Sequence, residues 1–285
     1  MPAINEVVNL VNDTRSSTVG GIEVATEVFE MAIVPYLLNS ASIWIGITKT
    51  HIDILDKIQN KFLQRILKVK TAIIPLMYWD LGQLLMVNRI LKMKLLMAHH
   101  LTTLEPKSLA NKIWRKEMVS NIDGLYSEVK DALNSFNLTM NDMKESSKTE
   151  WKLLIRKKIE WKNEEDLKIM LKRYKKVDVD SITKEKYGKK EYMNTLSYDQ
   201  AVMYFKLRAK VCNTIKTHFK NNKEFEEDIY SCWDCSSSIL DTSSHLKNCF
   251  HYEECKESLD LERTDHLVTF FQRVIKKRED EEESE

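Results

Sequence analysis

Six glycines and four prolines in 285 residues leave this chain few places to turn sharply. Sandwiches, barrels and glycine-rich phosphate loops consume many such residues, so their scarcity points to helices. Hydrophobic residues make up 43% of the chain and charged residues 31%, enough apolar side chain for a real core beneath a well-solvated surface. The length allows one to three domains. The expected class is mostly α, with an irregular helical bundle occupying the first half.

Periodicity places the helices. Ile4 to Asn12 reads as a short helix, broken at Gly20-Gly21. A long apolar helix is expected from Ile22 to Ile47, bent near Pro35. Its core, MAIVPYLLNSASIWIGI, is shorter than the roughly 20 residues a bilayer requires and contains Pro35, Asn39, Ser40 and Ser42, so it reads as buried rather than membrane-spanning. In KTHIDILDKIQNKFLQRILKVK, Thr48 or Thr50 caps a helix with Asp53 in its first turn. Leu55, Ile58, Phe62, Ile66 and Val69 form its apolar stripe, and Lys57, Lys61, Arg65 and Lys68 a basic stripe on another face.

Pro75 punctuates, and MYWDLGQL reads as a compact turn. Leu84 to Leu101 is apolar nearly all round, a central helix whose Arg89, Lys92 and Lys94 snorkel outward. Helices follow at Lys107 to Val119 and Leu125 to Phe136. Near residue 140 the character changes. Glu150 to Lys176 carries ten bases against five acids and reads as one or two basic helices. VDVDSITKEKYGKKEY reads as a loop, Leu196 to Phe219 as a helix capped by Ser197, and Thr264 to Lys277 as a last amphipathic helix.

The final seven residues, Glu279 to Glu285, hold six acids and no base; without them the formal charge of +1 becomes +7. A basic body with an acidic tail can suit nucleic acid, but the tail reads first as a simple solvated terminus. Met1-Pro2-Ala3-Ile4-Asn5-Glu6 lacks the basic start and apolar run of a secretory signal. An intracellular protein, nuclear or cytoplasmic, is expected, with reduced cysteines that favour metal over disulfides.

Cys232, Cys235, His245 and Cys249 follow a C-x2-C-x9-H-x3-C pattern. Two thiolates on a tight turn can reach one ion at about 2.3 Å. His245 and Cys249 are four residues apart and share a helix face. Three thiolates and an imidazole close a tetrahedral zinc shell with no open position for water, which is structural rather than hydrolytic. Shifted sets using His251 or Cys255 need a longer gap and spoil the helical pair. Cys212 reads as core. A Cys232–Cys235 redox pair lacks the βαβ setting such a pair needs.

Catalytic patterns are missing: no G-x-x-x-x-G-K-[ST], H-E-x-x-H or G-x-S-x-G is present. Asp178 and Asp180 have no third acid at useful spacing and read as a solvated loop. His99 and His100 point about 100° apart and share no site. The basic stretches are more suggestive. Lys57, Lys61, Arg65 and Lys68 suit a phosphate backbone. Lys152, Arg156, Lys157, Lys172, Arg173 and Lys175 form a second cluster, with Trp151, Trp161 and Tyr174 as stacking surfaces.

IVPYLLNSASIW, ILDKIQNKFLQRILKV, IIPLMYWDLGQLLMVNRILKMKLLMAHHL, the CWDC…HLKNC run and HLVTFFQRVI occur in that order. Together they resemble the C-terminal region of LINE-type (non-LTR) retrotransposon polyproteins, downstream of the reverse transcriptase core. The resemblance spans about Ile4 to Ile275. It implies a thumb-like helical domain at 1–140, a basic helical linker region at 141–225, a CCHC zinc-binding module at 226–278 and an acidic disordered tail at 279–285. It further implies that Cys232, Cys235, His245 and Cys249 hold zinc. RNA or DNA would be bound by Lys57, Lys61, Arg65 and Lys68 and by Lys152, Arg156, Lys157 and Arg173. The family's polymerase core needs a Tyr-x-Asp-Asp motif; Tyr78-Trp79-Asp80-Leu81 is not one. The expectation is therefore a nonenzymatic fragment without a small-molecule substrate or a membrane role, with a polymerase core or a second copy as further partners. The alternatives are a protein-interaction scaffold and a decayed element product.

Overall fold

The computed structural model describes residues 21–70, 73–120, 124–174, 179–209, 231–232, 237–240 and 243–282. The expected helix at Ile4 to Asn12 lies outside them. The described chain is mostly helical, with one short strand pair near its end. It divides into two compact units. One comprises Glu27–Leu63 and Ile74–Lys189; the other comprises Met1–Thr26, Gln64–Ile73 and Lys190–Glu285. No helix among the described residues is long and apolar enough to cross a membrane.

The described residues begin with α1 (Gly21–Val28), a π turn at Phe29–Ile33 and α2 (Val34–Leu37). The π turn sits just before Pro35, and the Val34 N–H reaches back five residues to the Phe29 carbonyl. The helix stops at Leu37, short of the expected Ile47, and Ser40 takes a left-handed conformation at φ 60°. A 3₁₀ turn at Ala41–Ile43 leads to α3 (Lys49–Ile66). Thr48 precedes α3 with its hydroxyl 3.1 Å from His51 Nδ1, while Asp53 falls beyond the first turn.

Of MYWDLGQL, read as a turn, the first five residues are the greater part of α4 (Ile74–Leu81), with Pro75 in the first turn, where its missing N–H costs nothing. Gly82 ends α4 at φ 63°, and the Gln83 N–H bonds the Tyr78 carbonyl at 2.9 Å. A Cβ on Gly82 would lie 2.8 Å from the Lys189 backbone nitrogen, so the turn admits no larger residue without a shift.

Next come α5 (Met86–Thr103), α6 (Leu109–Ser120), α7 (Leu125–Ser135), α8 (Met140–Glu145) and α9 (Lys148–Leu171). α9 is one continuous helix. Its Trp151, Ile155, Ile159 and the α5 residues Leu95 and Ala98 join Trp114, Val129, Leu133 and Met143 in one core. The compositional change near 140 therefore falls within one packed unit. α8 and α9 open with reciprocal capping boxes, Thr139 with Asp142 and Ser147 with Glu150.

Two of the three cations expected to snorkel from α5 are instead buried and paired. Arg89 makes a bidentate pair with Glu30 at 2.5 and 2.6 Å and also contacts Gln83. Lys94 pairs with Glu128. The expected loop after residue 176 holds a short helix, α10 (Val179–Lys184).

In the other unit, α11 (Tyr192–Thr195) and α12 (Tyr198–Arg208) precede a two-stranded antiparallel ladder, β1 (Ser231–Cys232) and β2 (Ser237–Leu240). α12 starts behind Ser197 as expected; residues beyond 209 of the expected helix lie outside the described set. Then follow α13 (Ser243–Asn248), a 3₁₀ turn at Phe250–Tyr252, α14 (Glu253–Lys256) and α15 (Thr264–Glu282). α15 continues past Lys277 to Glu282, into the segment expected to be a disordered acidic tail. Glutamate's helix propensity makes that continuation inexpensive. Leu246, Cys249, Tyr252, Cys255, Phe270, Phe271 and Val274 form the core here.

Candidate nucleic-acid interface and metal site

α3 buries Phe62, Leu63 and Ile66 and turns Lys57, Lys61 and Arg65 to the surface, each four residues from the next. Lys57 and Lys61 make no ion pair among the described residues. Lys68 does not continue the stripe. α3 ends at Ile66, and Lys68 occupies the left-handed residue beyond it, at φ 48°. Its N–H bonds the Arg65 carbonyl at 3.2 Å and the Val69 N–H bonds the Gln64 carbonyl at 2.9 Å, the double closure of a Schellman cap. The Lys68 ammonium is engaged by Asp199 at 2.8 Å and lies 4.8 Å from the Tyr198 ring centroid. The four sequence-predicted cations thus divide into a helical set of three and one capped, paired lysine. Lys57 and Lys61 belong to one compact unit, Arg65 and Lys68 to the other.

On α9, Lys152, Arg156 and Lys157 are exposed, and Arg173 follows the helix end. Much of the basic charge is internally matched. Arg156 donates to Glu160 at 2.8 Å, and that bond holds its guanidinium above the ordinary arginine range. Lys168 meets Glu164 and Glu165 at 2.9 and 3.0 Å, which raises its ammonium likewise, and Lys162 faces Asp166 at 3.5 Å. Lys158 is spent on the Phe136 carbonyl, 3.0 Å away. Lys152 and Lys157 make no ion pair among the described residues.

The aromatic residues separate sharply. Trp151 is buried; its indole N–H donates to the Leu95 carbonyl at 3.1 Å and His99 stacks over it at 5.8 Å. It offers no face to a base. Trp161 is 57% exposed and follows Lys157 by one helical turn, and Tyr174 is exposed beyond the helix end. Lys175 and Asp178 lie outside the described residues. His99 is buried with Nε2 3.0 Å from the Ser146 carbonyl, while His100 is exposed.

Sequence reasoning missed a buried polar seam. The Asn163 carboxamide accepts the Leu85 N–H at 2.9 Å and an Asn88 N–H at 3.0 Å, and donates to the Gln83 carbonyl and the Tyr187 hydroxyl. Burial pushes the Tyr187 hydroxyl well above the ordinary tyrosine range. The available signal was positional: Asn163 stands four residues from both Ile159 and Leu167, on the apolar face of α9.

For the Cys/His run the backbone course is informative. Cys232 ends β1 and pairs with Ser237 of β2. α13 follows directly; His245 is its third residue, and Cys249 stands just past its end. Cys249 is buried beside Leu246 and Tyr252. Of Cys232 and His245 only the backbone is described, and Cys235 and Cys212 lie outside the described residues. Among the described side chains, which include only Cys249 of the four, no group of three or more His, Cys, Asp or Glu converges on a metal position. Cys249 lies one residue past the end of α13, so the helix expected to bear both His245 and Cys249 bears only His245.

Comparison with known protein families, with curated proteins and with solved structures returns no match for this chain.

Proposed function

We propose that this chain is a zinc-stabilised nucleic-acid-binding fragment of a LINE-type non-LTR retrotransposon polyprotein, from the region after the reverse transcriptase core. The observation that carries the reading is the strand-pair and helix course of the Cys/His run, with Cys232 at the end of β1, His245 on α13 and Cys249 just beyond it. Cys232, Cys235, His245 and Cys249 hold the zinc. With four protein ligands the ion has no open position, so it supplies folding energy on the order of 10 kcal/mol rather than chemistry.

The nucleic acid, RNA or DNA, is met by the exposed cations Lys57, Lys61 and Arg65 on α3 and by Lys152, Arg156, Lys157 and Arg173 on and after α9. These neutralise phosphates without reading sequence. Trp161, with Lys157 one turn before it, supplies the stacking face that buried Trp151 does not. Lys68 contributes least, because Asp199 already engages it. The role is binding, not catalysis, in a reducing compartment, nucleus or cytoplasm.

A protein-interaction role is the second reading. The central α5 helix does not supply its surface, since Ile90, Leu95 and Ala98 are buried within the fold. The exposed Met31, Tyr36, Ile43 and Ile45 favour it instead.

Two measurements on the purified full chain test the proposal. Zinc content of the wild type and of Cys235→Ser is expected to be one ion per chain, lost in the variant; no zinc in either removes the metal half. Filter binding at several salt concentrations is expected to show affinity falling as salt rises. Binding that does not exceed that of an unrelated helical protein of equal charge removes the nucleic-acid half, and self-association without such binding selects the interaction reading.

A further inference from the structure

Two stripes run along α9, and both recur every four residues. Trp151, Ile155, Ile159, Asn163, Leu167 and Leu171 form the buried one. Leu153, Lys157, Trp161, Glu165 and Ile169 each stand two residues further on, about 200° around the helix, and so face away from that core. The three apolar members of this outer ridge are exposed, Leu153 by 54%, Trp161 by 57% and Ile169 by 56%. Most charges flanking the ridge are matched within the helix: Arg156 with Glu160, Lys162 with Asp166, Lys168 with Glu164. The ridge's own two charges are more open. Lys157 makes no ion pair among the described residues. Glu165, though 3.0 Å from Lys168, remains 44% exposed.

The order along the ridge is apolar, base, tryptophan, acid, apolar. Read backwards, that order is its own charge complement. We propose that the outer ridge of α9 pairs, antiparallel, with the same ridge of a second copy of this chain, about a two-fold axis at Trp161. In that register Lys157 meets the partner's Glu165 and Leu153 meets the partner's Ile169, each twice by symmetry. The two tryptophans meet at the axis. A slip of one turn either way sets Lys157 against an uncharged side chain, and a parallel partner in register sets Lys157 against its own copy. Ridges of four-residue spacing interdigitate when two helices cross at about 50°, the commonest packing in globular proteins. A single crossing of this kind buries less than the roughly 1,200 Å² of a stable interface, so the dimer is weak and forms as concentration rises. Trp161 does not stack on a base and on its symmetry mate together, so the dimer is the form without nucleic acid. The pairing goes beyond the nucleic-acid reading and does not rest on it.

Sedimentation equilibrium of the full chain without nucleic acid, over a concentration series up to the solubility limit, tests the pairing. A reversible monomer–dimer equilibrium is expected, and Trp161→Asp is expected to abolish it. Lys157→Glu and Glu165→Lys each set like charges together twice, and each is expected to raise the dimer dissociation constant about tenfold. Lys157→Glu combined with Glu165→Lys remakes both pairs with their signs exchanged. That double variant is expected to return the constant to near the wild-type value, a rescue that neither lost folding nor altered net charge produces. Circular dichroism checks that every variant keeps its helix. A chain that stays monomeric throughout the series overturns the proposal. So does a dimer that survives Trp161→Asp, or a pair of single variants that the double variant does not rescue. Nucleic-acid affinity is read separately by filter binding, so failure of the pairing and failure of the nucleic-acid reading are told apart.

Discussion

The Lys68 ammonium stands 2.8 Å from Asp199 Oδ1, at the left-handed residue that closes α3. Both side chains are about half exposed, 50% and 51%, so the pair contributes at most about 1 kcal/mol to stability. Its consequence is for binding. A lysine already matched by a carboxylate releases less when it meets a phosphate than an unmatched one does. Lys61→Gln is expected to weaken RNA or DNA binding more than Lys68→Gln does, and to lower the salt slope by close to one phosphate, about 0.9 on duplex DNA. Filter binding across salt concentrations reads both; equal losses from the two variants refute the distinction.

Trp151 holds the opposite role from the one its sequence neighbours suggested. It is fully enclosed, bonded to the Leu95 carbonyl and stacked on His99. Trp151→Ala is expected to cost about 3–5 kcal/mol by urea unfolding, because it opens a cavity and leaves the Leu95 carbonyl to a poorer partner. Trp161→Ala, at an exposed position of the same helix, is expected to change stability by less than about 0.5 kcal/mol. It is expected to lower nucleic-acid affinity instead.

The helices were legible because their apolar residues recur at helical spacing: Phe62 and Ile66 on α3, Ile155 and Ile159 on α9. What periodicity did not reveal was partnership between distant segments. Arg89 and Lys94 read as snorkelling cations, because nothing local announces Glu30 and Glu128 as their partners. Trp151 and Trp161 both sit in a basic stretch, and only the direction each faces, set by α5, separates core from surface. α4 reads as a turn in the sequence because Pro75 looks like punctuation; Pro75 is instead a first-turn residue and Gly82 the cap of a short helix. In the candidate metal site the ligand spacing is legible in the sequence, but β2 within the nine-residue gap and the end of α13 one residue before Cys249 are not.

Gly82 supplies a backbone prediction. Its φ of 63° already disfavours a side chain, and an added Cβ would approach the Lys189 nitrogen to 2.8 Å. Gly82→Ala is expected to destabilise by about 1–3 kcal/mol, with an unchanged denaturant slope. Asn137, at φ 53° in the matching position after α7, marks the contrast. Asn137→Gly there is expected to be neutral or mildly stabilising, because asparagine's strain is relieved and no close backbone approach follows.

Acid stability divides by sign. The Thr139 and Ser147 caps hold Asp142 and Glu150 below their ordinary values of 3.8 and 4.5, chiefly through side-chain hydrogen bonds. A depressed carboxyl stabilises the fold above its unfolded value, and that stability is lost as pH falls through the lower folded value. Asp56 behaves oppositely. Burial raises its carboxyl above 3.8 despite the Met86 N–H it accepts, so its penalty is present near neutrality and disappears on acidification. Combining Asp142→Asn with Glu150→Gln is expected to flatten the stability profile below about pH 4.5, whereas Asp56→Asn is expected to steepen the acid loss. Thermal melts across that range check both; a double variant with the wild-type acid slope contradicts the assignment of the caps.

The last prediction concerns what zinc would hold together. Cys249 lies in the same core as Leu246, Tyr252, Phe270, Phe271 and Val274, so a ligand of the proposed site is also a packing residue. Two α15 cations tie that helix to the preceding segment: Arg273 donates to the Cys255 and Glu257 carbonyls at 3.3 and 3.1 Å, and Lys277 to the His251 carbonyl at 3.2 Å. A small core of this kind would gain much of its stability from an ion that fixed the strand pair and α13 in place. Chelation of zinc is therefore expected to release amide protection over residues 243–274, α15 included, while the core around Leu95 and Trp151, in the other compact unit, keeps its protection. Hydrogen exchange with and without chelator reads this directly. Cys249→Ser is expected to lose more protection than Cys235→Ser, because it removes a ligand and a buried packing group together. Unchanged exchange in 243–274 after chelation shows that apolar packing alone sustains this core and that no bound metal contributes to it.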